Sequence, residues 1–386
     1  MSTTPDVLIV GAGPAGAIAA GLLARAGARV RLIDRARFPR DKLCGDTLNP
    51  GTLSRLHRLG LESAAAGGLP LDGMLVTGEH DLRVEGRYPA PLHGRSMLRR
   101  DLDQRLVELA CRAGTRFDEA VTARRALVEG AGSARRVDGI VAASQDGTED
   151  VRARVTIAAD GRRSTLAFAL GLARHPVAPR RWAVGAYFQG VRALSSLGEM
   201  HIRRGYYVGV APLPGALANI CVVAVPGSGT ILDPCFRDPR ALLAAAIEQD
   251  PVLRDRCAGS TLSGGPIVLG PLAVDRIGAG IDGLFLAGDA GGFIDPMTGD
   301  GLHFAVRDAE LVAEATLEVL ASGWAGAHQR LARRRARALG AKRQLNRVLR
   351  AVVGSSSRVG LAGAIVARAP GLVRTLVRVA GDTWDA

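Results

Sequence analysis

Hydrophobic positions along the chain fall into two patterns that change places several times. Short apolar runs, Val7 to Val10, Thr156 to Ala159 and Gly283 to Ala287, predict strands buried on both faces, the habit of a parallel sheet. A further strand runs from Ala28 to Ile33 and closes on Asp34. Helical spacing follows the first run as far as about Ala26, recurs over 99–113 through Leu102, Leu106, Leu109 and Ala110, and begins again near 301. Between 166 and 274 the candidate strands Trp182–Val191, Tyr206–Ala211 and Asn219–Val225 are bounded by Gly and Pro, which predicts an antiparallel sheet. Leu331 to Arg350 reads as an arginine-rich helix, and 359–381 as an apolar stretch broken by Arg368, Pro370, Arg374 and Arg378. With Arg374 and Arg378 on one side and Leu372, Val373, Leu376 and Val377 on the other, that stretch is amphipathic. It fits a helix packed on the body of the protein, or one set against an anionic membrane surface or the entrance for an apolar substrate.

Chemistry enters at the first strand–helix junction. Gly11 permits a tight turn, Gly13 lets the backbone approach a pyrophosphate, and Gly16 lets the helix lie close to its strand, so that the helix N-terminus faces phosphate. Asp34, at the end of the next strand, is placed to accept hydrogen bonds from an adenosine ribose. This unit serves FAD and NAD alike. A second one separates them: after the strand ending at Ala287 come Gly288, Asp289 and a Gly/Pro loop opening a helix near Gly301. An acid there can bind a ribityl hydroxyl, and glycine amides can face the pyrimidine carbonyls of a flavin. The expected fold is α/β (α+β overall): a Rossmann-like FAD-binding domain from 1–66, 95–165 and 275–325, a mostly antiparallel substrate domain from 67–94 and 166–274, and a C-terminal helical extension over 326–386.

Composition narrows the partners. The 386 residues carry 50 Lys+Arg against 37 Asp+Glu, a formal charge of +13, yet Lys42 and Lys342 are the only lysines. Such arginine richness is first a mark of base-composition bias. Aromatics at 4%, with no basic-aromatic interleaving, argue against nucleic acid as a partner. The five cysteines, Cys44, Cys111, Cys221, Cys235 and Cys257, form no CxxC pair, so neither a zinc site nor a disulfide framework is expected, and no metal is assigned. The first residues show no leader pattern, and a cytoplasmic setting, with peripheral membrane contact as an addition, is expected.

Three signatures together resemble one class of FAD-dependent enzymes, that of the aromatic hydroxylases, flavin halogenases and geranylgeranyl reductases. They are Gly11 to Gly16 with Asp34, Asp160-Gly161 with Ser164, and Gly288-Asp289 with its loop; Arg99 with Leu102 and Asp103 matches the class's arginine at a helix start. The geranylgeranyl reductase branch is favoured. Arg40 to Asp46 is similar to its cysteine-glycine segment, Pro296 to Leu302 to its Pro-x-Thr-Gly-Glu-Gly-Ile loop with Asp300 for Glu, and Gly205 to Pro214 to its Tyr-x-Trp-x-Phe-Pro strand with Gly209 and Ala211 for the two aromatics. The halogenase branch fits less well, since no lysine lies between Lys42 and Lys342 and the three tryptophans stand apart. The hydroxylase arginine after the Asp-Gly motif is replaced by Ala167.

The resemblance implies noncovalent FAD held by Gly11, Gly13, Ala15, Gly16, Asp34, Arg35, Cys44, Gly45, Arg99, Asp160, Gly288, Asp289, Pro296, Gly299, Gly301 and Leu302. It implies a reductase that saturates carbon–carbon double bonds of a prenyl or other apolar substrate, with NAD(P)H or a reduced electron carrier, including a donor protein, supplying electrons. The alternative is an NAD(P)H- and oxygen-dependent monooxygenase on an aromatic or polyketide-like substrate; a third is a flavin-binding scaffold without turnover. An isolated alkene also needs a proton, for which Cys44, Tyr206 and Tyr207 are the catalytic candidates beside a flavin-bound water, with His201 and His303 further available. Blander readings stand beside these: Cys44 as a small buried residue, Asp160 as a cap of its turn, and Arg333 to Arg337 as a solvated helix face. Tyr206 and Tyr207 alternate, so one faces the core and the other a pocket.

Overall fold

The computed structural model describes residues 4–79, 82–177, 180–227, 229–278, 280–353 and 370–383. Five parallel strands lie in the order Leu284–Leu286, Val155–Ala158, Val7–Val10, Val30–Asp34 and Arg116–Glu119. Their apolar runs are explained by what covers each face. Val7 and Ile9 point into a core shared with the first helix, Pro14–Arg25, and with the helices Arg99–Arg112 and Gly301–Ser322. Leu8 and Val10 point the other way, into a second core with the strands Thr122–Glu129 and Arg136–Ser144 of a three-stranded antiparallel sheet.

The second large sheet has seven strands in the order Thr261–Leu269, Trp182–Gln189, Leu217–Ala224, Tyr206–Leu213, Leu197–Arg203, Gly73–Thr77 and Arg83–Arg87. It is antiparallel apart from the parallel pairing of Leu197–Arg203 with Gly73–Thr77. One face buries Val208, Ile220 and Val222 against the helix Pro239–Gln249 through Leu242, Leu243 and Ala246. The opposite face turns Ala183, Tyr207 and Val223 toward Leu272 and Met297. The fold class is therefore that expected: a parallel nucleotide-binding sheet, an antiparallel sheet and C-terminal helices.

The C-terminal part is more tightly tied to the body than a solvated face allows. In the helix Ala327–Val353, Arg333 and Arg337 are exposed, but Arg335 is buried, with Nε 2.6 Å from Asp308 Oδ1. The expectation of a solvated cluster is corrected at that residue, because a buried carboxylate needs a cation beside it. Residues 354–369, including Arg368, lie outside the described residues. The helix Pro370–Ala380 packs Val377 against Val84 of the seven-stranded sheet and leaves Arg374 and Arg378 exposed. Among the described residues no helix is long and apolar enough to cross a membrane.

Candidate active site

The cofactor end is shaped by close approach of backbone to backbone. Gly11 has φ +101°, and a Cβ there would lie 2.6 Å from the Ala159 carbonyl oxygen. A Cβ on Gly16 would stand 1.9 Å from the Gly11 oxygen, so strand and helix can meet only with glycine at that point. No side chain caps the N-terminus of Pro14–Arg25, which leaves its first N–H groups to an outside acceptor. Asp34 accepts from Ala12 N–H at 2.8 Å and from Ala36 N–H at 2.9 Å, so the acid steadies the glycine turn while its remaining lone pairs stay available to a ribose.

Cations gather around this turn. Arg40 lies 3.2 Å from Asp103 and 3.8 Å from Asp34, and its guanidinium covers Gly13. Arg99 is buried and gripped by Asp103 through two bonds of 2.9 Å. Breaking such a pair by removing one partner costs about 3–5 kcal/mol, which fixes where the charge sits. Lys42 and Arg162 complete the group. Burial pushes the Lys42 ammonium below its ordinary range, Arg99 adds to that, and Asp289 opposes it. Burial likewise pushes Asp289 up, against the pull of Lys42, Arg99 and Arg162. An uncapped helix start, four cations and the half-buried Asp289 fit the pyrophosphate and ribityl chain of FAD.

A cavity of about 230 Å³ begins at this point and runs to the substrate sheet. Gly13, Ala15, Cys44, Gly45, Arg99, Gly288, Asp289, Pro296, Gly299, Gly301 and Leu302 all line it, together with Tyr207. Gly11, Gly16, Asp34, Arg35 and Asp160 lie outside its wall. Arg35 is exposed, and its charge acts on Asp160. Asp160 accepts from Thr165 N–H at 2.9 Å, as a cap of its turn does, while its Oδ1 finds no partner among the described residues.

The tyrosine pair resolves by strand alternation. Tyr207 faces the cavity, whereas Tyr206 is buried in the core on the other side of the sheet, so Tyr206 is corrected to a packing residue away from the candidate chemistry. Tyr207 donates its hydroxyl to Asp295 Oδ1 at 2.6 Å, and Arg181 bonds Asp295 Oδ2 at 2.8 Å. Its phenol is raised well above the usual range by burial and by the Asp295 charge. That proton is committed to holding the Phe293–Gly299 loop. His201 is buried between Thr77 and Glu199, and His303 meets Asp382 at 2.9 Å; neither lines the cavity.

The far end of the cavity is apolar, with Leu71, Met74, Met200, Val223, Leu269, Leu272 and Phe293. Gly209 and Ala211 share the face of Tyr207, and a Cβ on Gly209 would meet only the Cys221 carbonyl oxygen, at 3.9 Å. The two missing aromatics would thus have pointed into this space. Sequence reasoning quoted the Arg40 to Asp46 segment but gave no site role to Arg40, Lys42 or Asp46, and it did not reach Asn219. Asn219 had one signal, a lone amide in the otherwise apolar strand Leu217–Ala224. The Gly288 turn also has an unforeseen support, since Gly288 N–H donates to Asp308 at 2.8 Å and Arg335 holds that same carboxylate at 2.9 Å.

Residues 4–194 match the family described as FAD binding domain. The menaquinone reductase of Mycobacterium tuberculosis is 33% identical over 80% of this chain and 76% of its own length. The geranylgeranyl diphosphate reductase of Rhodobacter capsulatus is 30% identical over 82% and 76%. A solved geranylgeranyl bacteriochlorophyll reductase-like protein of Thermoplasma acidophilum superposes with TM-score 0.79 at 22% identity, covering 94% of this chain and 91% of that one, and so shares the fold. By these relatives the chain belongs to the geranylgeranyl reductase family of FAD-dependent oxidoreductases.

Proposed function

We propose that the enzyme saturates carbon–carbon double bonds of an isoprenoid or similarly apolar chain, drawing electrons from NAD(P)H or a reduced carrier protein. The observation that carries this reading is the continuity of one cavity from Asp289 and Arg99 to the apolar face of the substrate sheet, with Cys44 at the junction. The names of the two relatives above support it. Reduced FAD supplies a hydride. The chain itself must hold the alkene out of water, align it and deliver a proton to the second carbon. The Arg99 guanidinium, a donor only, acts on the Cys44 sulfur, so when the S–H bond breaks and a C–H bond forms, the sulfur's negative charge is left beside a cation. Tyr207, committed to Asp295, shapes the pocket instead.

Peripheral contact with an anionic membrane surface belongs to the same proposal. Ala380 lines the cavity while Arg374 and Arg378 of its helix face outward, which suits a mouth through which an apolar chain arrives from lipid. The test is anaerobic stopped-flow. The enzyme, reduced in the absence of oxygen, is mixed with a geranylgeranyl compound while the flavin absorbance is followed. Reoxidation by the alkene, with a product heavier by two hydrogens, is expected. No response to the alkene, with a transient peroxide-like absorbance on oxygen, would replace this reading by the monooxygenase.

A further inference from the structure

Asp46 stands two residues beyond Cys44, behind the cavity wall, with its side chain buried. Its backbone is left-handed, φ +53°, a region that aspartate enters more readily than most residues other than glycine. Three donors from three separate elements hold it. Arg99 N–H, at the start of its helix, lies 3.2 Å from Oδ1. Asn219 Nδ2, from the strand Leu217–Ala224, lies 2.5 Å from Oδ2. The Tyr187 hydroxyl, from Trp182–Gln189, is the third. The Asn219 amide also donates to the Cys44 carbonyl at 2.6 Å, and Met97 N–H donates to the Asp46 carbonyl at 2.9 Å. One carboxylate therefore ties the Cys44 segment to the cofactor domain on one side and to the substrate sheet on the other.

We propose that Asp46 is the positioning residue of the Cys44 segment, and that protonation of its carboxylate loosens the segment's hold on the substrate sheet, leaving it the Asn219 bond to the Cys44 carbonyl, and slows turnover. The link to turnover rests on the reading of Cys44 given above. The Arg99 N–H and the Asn219 amide NH2 can only donate, so they suit its charged form; a protonated acid would set its own O–H against those two, with only the Tyr187 hydroxyl able to turn and accept. Burial works the other way. It pushes the Asp46 carboxyl up to about 7, while Asn219, Tyr187 and Arg99 hold it down. The ionisable groups facing it are the Arg99 guanidinium with its partner Asp103, the Tyr187 phenol, the Cys221 thiol and the Cys44 thiol of its own segment. Raised in the fold from an ordinary 3.8, the carboxyl holds its proton more tightly in the native state than in the unfolded chain. Its contribution to stability is thus full below the unfolded value and is lost as pH rises toward about 7, even as the position of Cys44 becomes better defined.

The experiment compares the FAD-loaded wild type with Asp46→Asn between about pH 6 and about pH 8, either side of that value. One readout is kcat. The other is iodoacetamide labelling of Cys44, mapped by peptide mass and divided by labelling of the exposed Cys111 in the same sample. In the wild type the labelling ratio is expected to rise several-fold toward the acid side while kcat falls and KM holds. In Asp46→Asn the ratio stays high and kcat stays low, both without the inflection. A wild-type ratio that is flat with pH overturns the proposal, and that measurement needs no variant to fold. An inflection in labelling with none in kcat would leave Asp46 as the positioning residue and remove Cys44 from the reaction.

Discussion

Glycine has opposite meanings at the two ends of the cavity. At the cofactor end a Cβ on Gly16 would stand 1.9 Å from the Gly11 oxygen, so the glycine is there because the space is already taken by backbone. On the substrate sheet a Cβ on Gly209 would meet nothing closer than 3.9 Å, so that glycine leaves space vacant along the face of Tyr207. The first end is specified by main-chain sterics and by charges that suit one cofactor. The second is specified by volume, and volume can be retuned without disturbing the fold. A glycine is evidence of function only once its surroundings are known.

The largest effect should come from closing the tight end. In Gly16→Ala the new methyl collides with the Gly11 carbonyl and crowds the Ala159 Cβ, neither of which can swing aside, and strain of about 1–3 kcal/mol or more is expected to lower FAD affinity by about tenfold or more. The flavin-to-protein absorbance ratio after purification reads this directly. A variant that keeps its full flavin would show that strand and helix can part without harm, and the contrast between the two glycines would collapse.

The same contrast explains what the sequence disclosed. Gly11, Gly13, Gly16 and Asp34 belong to one unbroken strand–helix–strand unit, and Gly288 to Leu302 to one loop, so their chemistry is written in short spacings. The other residues meet only through sheet register and helix packing. Asp46 reaches Asn219 across 173 positions, and Arg181 reaches Asp295 across 114. Alternation along Tyr206–Leu213 guaranteed that one tyrosine would face the cavity, yet which one depended on the helix Pro239–Gln249 covering the other side. Arg335 looked like one charge in a basic run until its packing against Asp308 showed it braced beneath the Gly288 turn. Motifs that act through their own backbone are legible; residues that act through a distant partner are not.

Filling the open end should leave the cofactor alone. Gly209→Trp places an indole where the face is vacant, and kcat/KM for a long apolar substrate is expected to fall by about tenfold or more with flavin content unchanged. Steady-state kinetics with geranylgeranyl substrates, beside the flavin absorbance of the same preparation, separate the two ends. Loss of flavin would mean that the sheet supports the cofactor as well. Unchanged kinetics would move the substrate off this face.

The finest test uses the two adjacent tyrosines as each other's control. Tyr207→Phe removes the hydroxyl that Asp295 accepts, leaving a buried carboxylate with Arg181 and the Met297 N–H, at 3.1 Å, as its partners. A loss of about 1–2 kcal/mol is expected, seen as a lower midpoint in chemical denaturation. Burial raises the Tyr206 phenol to about 12, but it packs among aliphatic side chains on the helix-covered face, so Tyr206→Phe should stay within about 0.5 kcal/mol of the wild type. The order matters more than the sizes, because both substitutions delete the same atom from neighbouring residues of one strand. If Tyr206→Phe proved the costlier, the face assigned to the cavity would be the wrong one. The open space beside Gly209 would then lie against the core, and Gly209→Trp would have to destabilise the protein instead of reshaping its pocket.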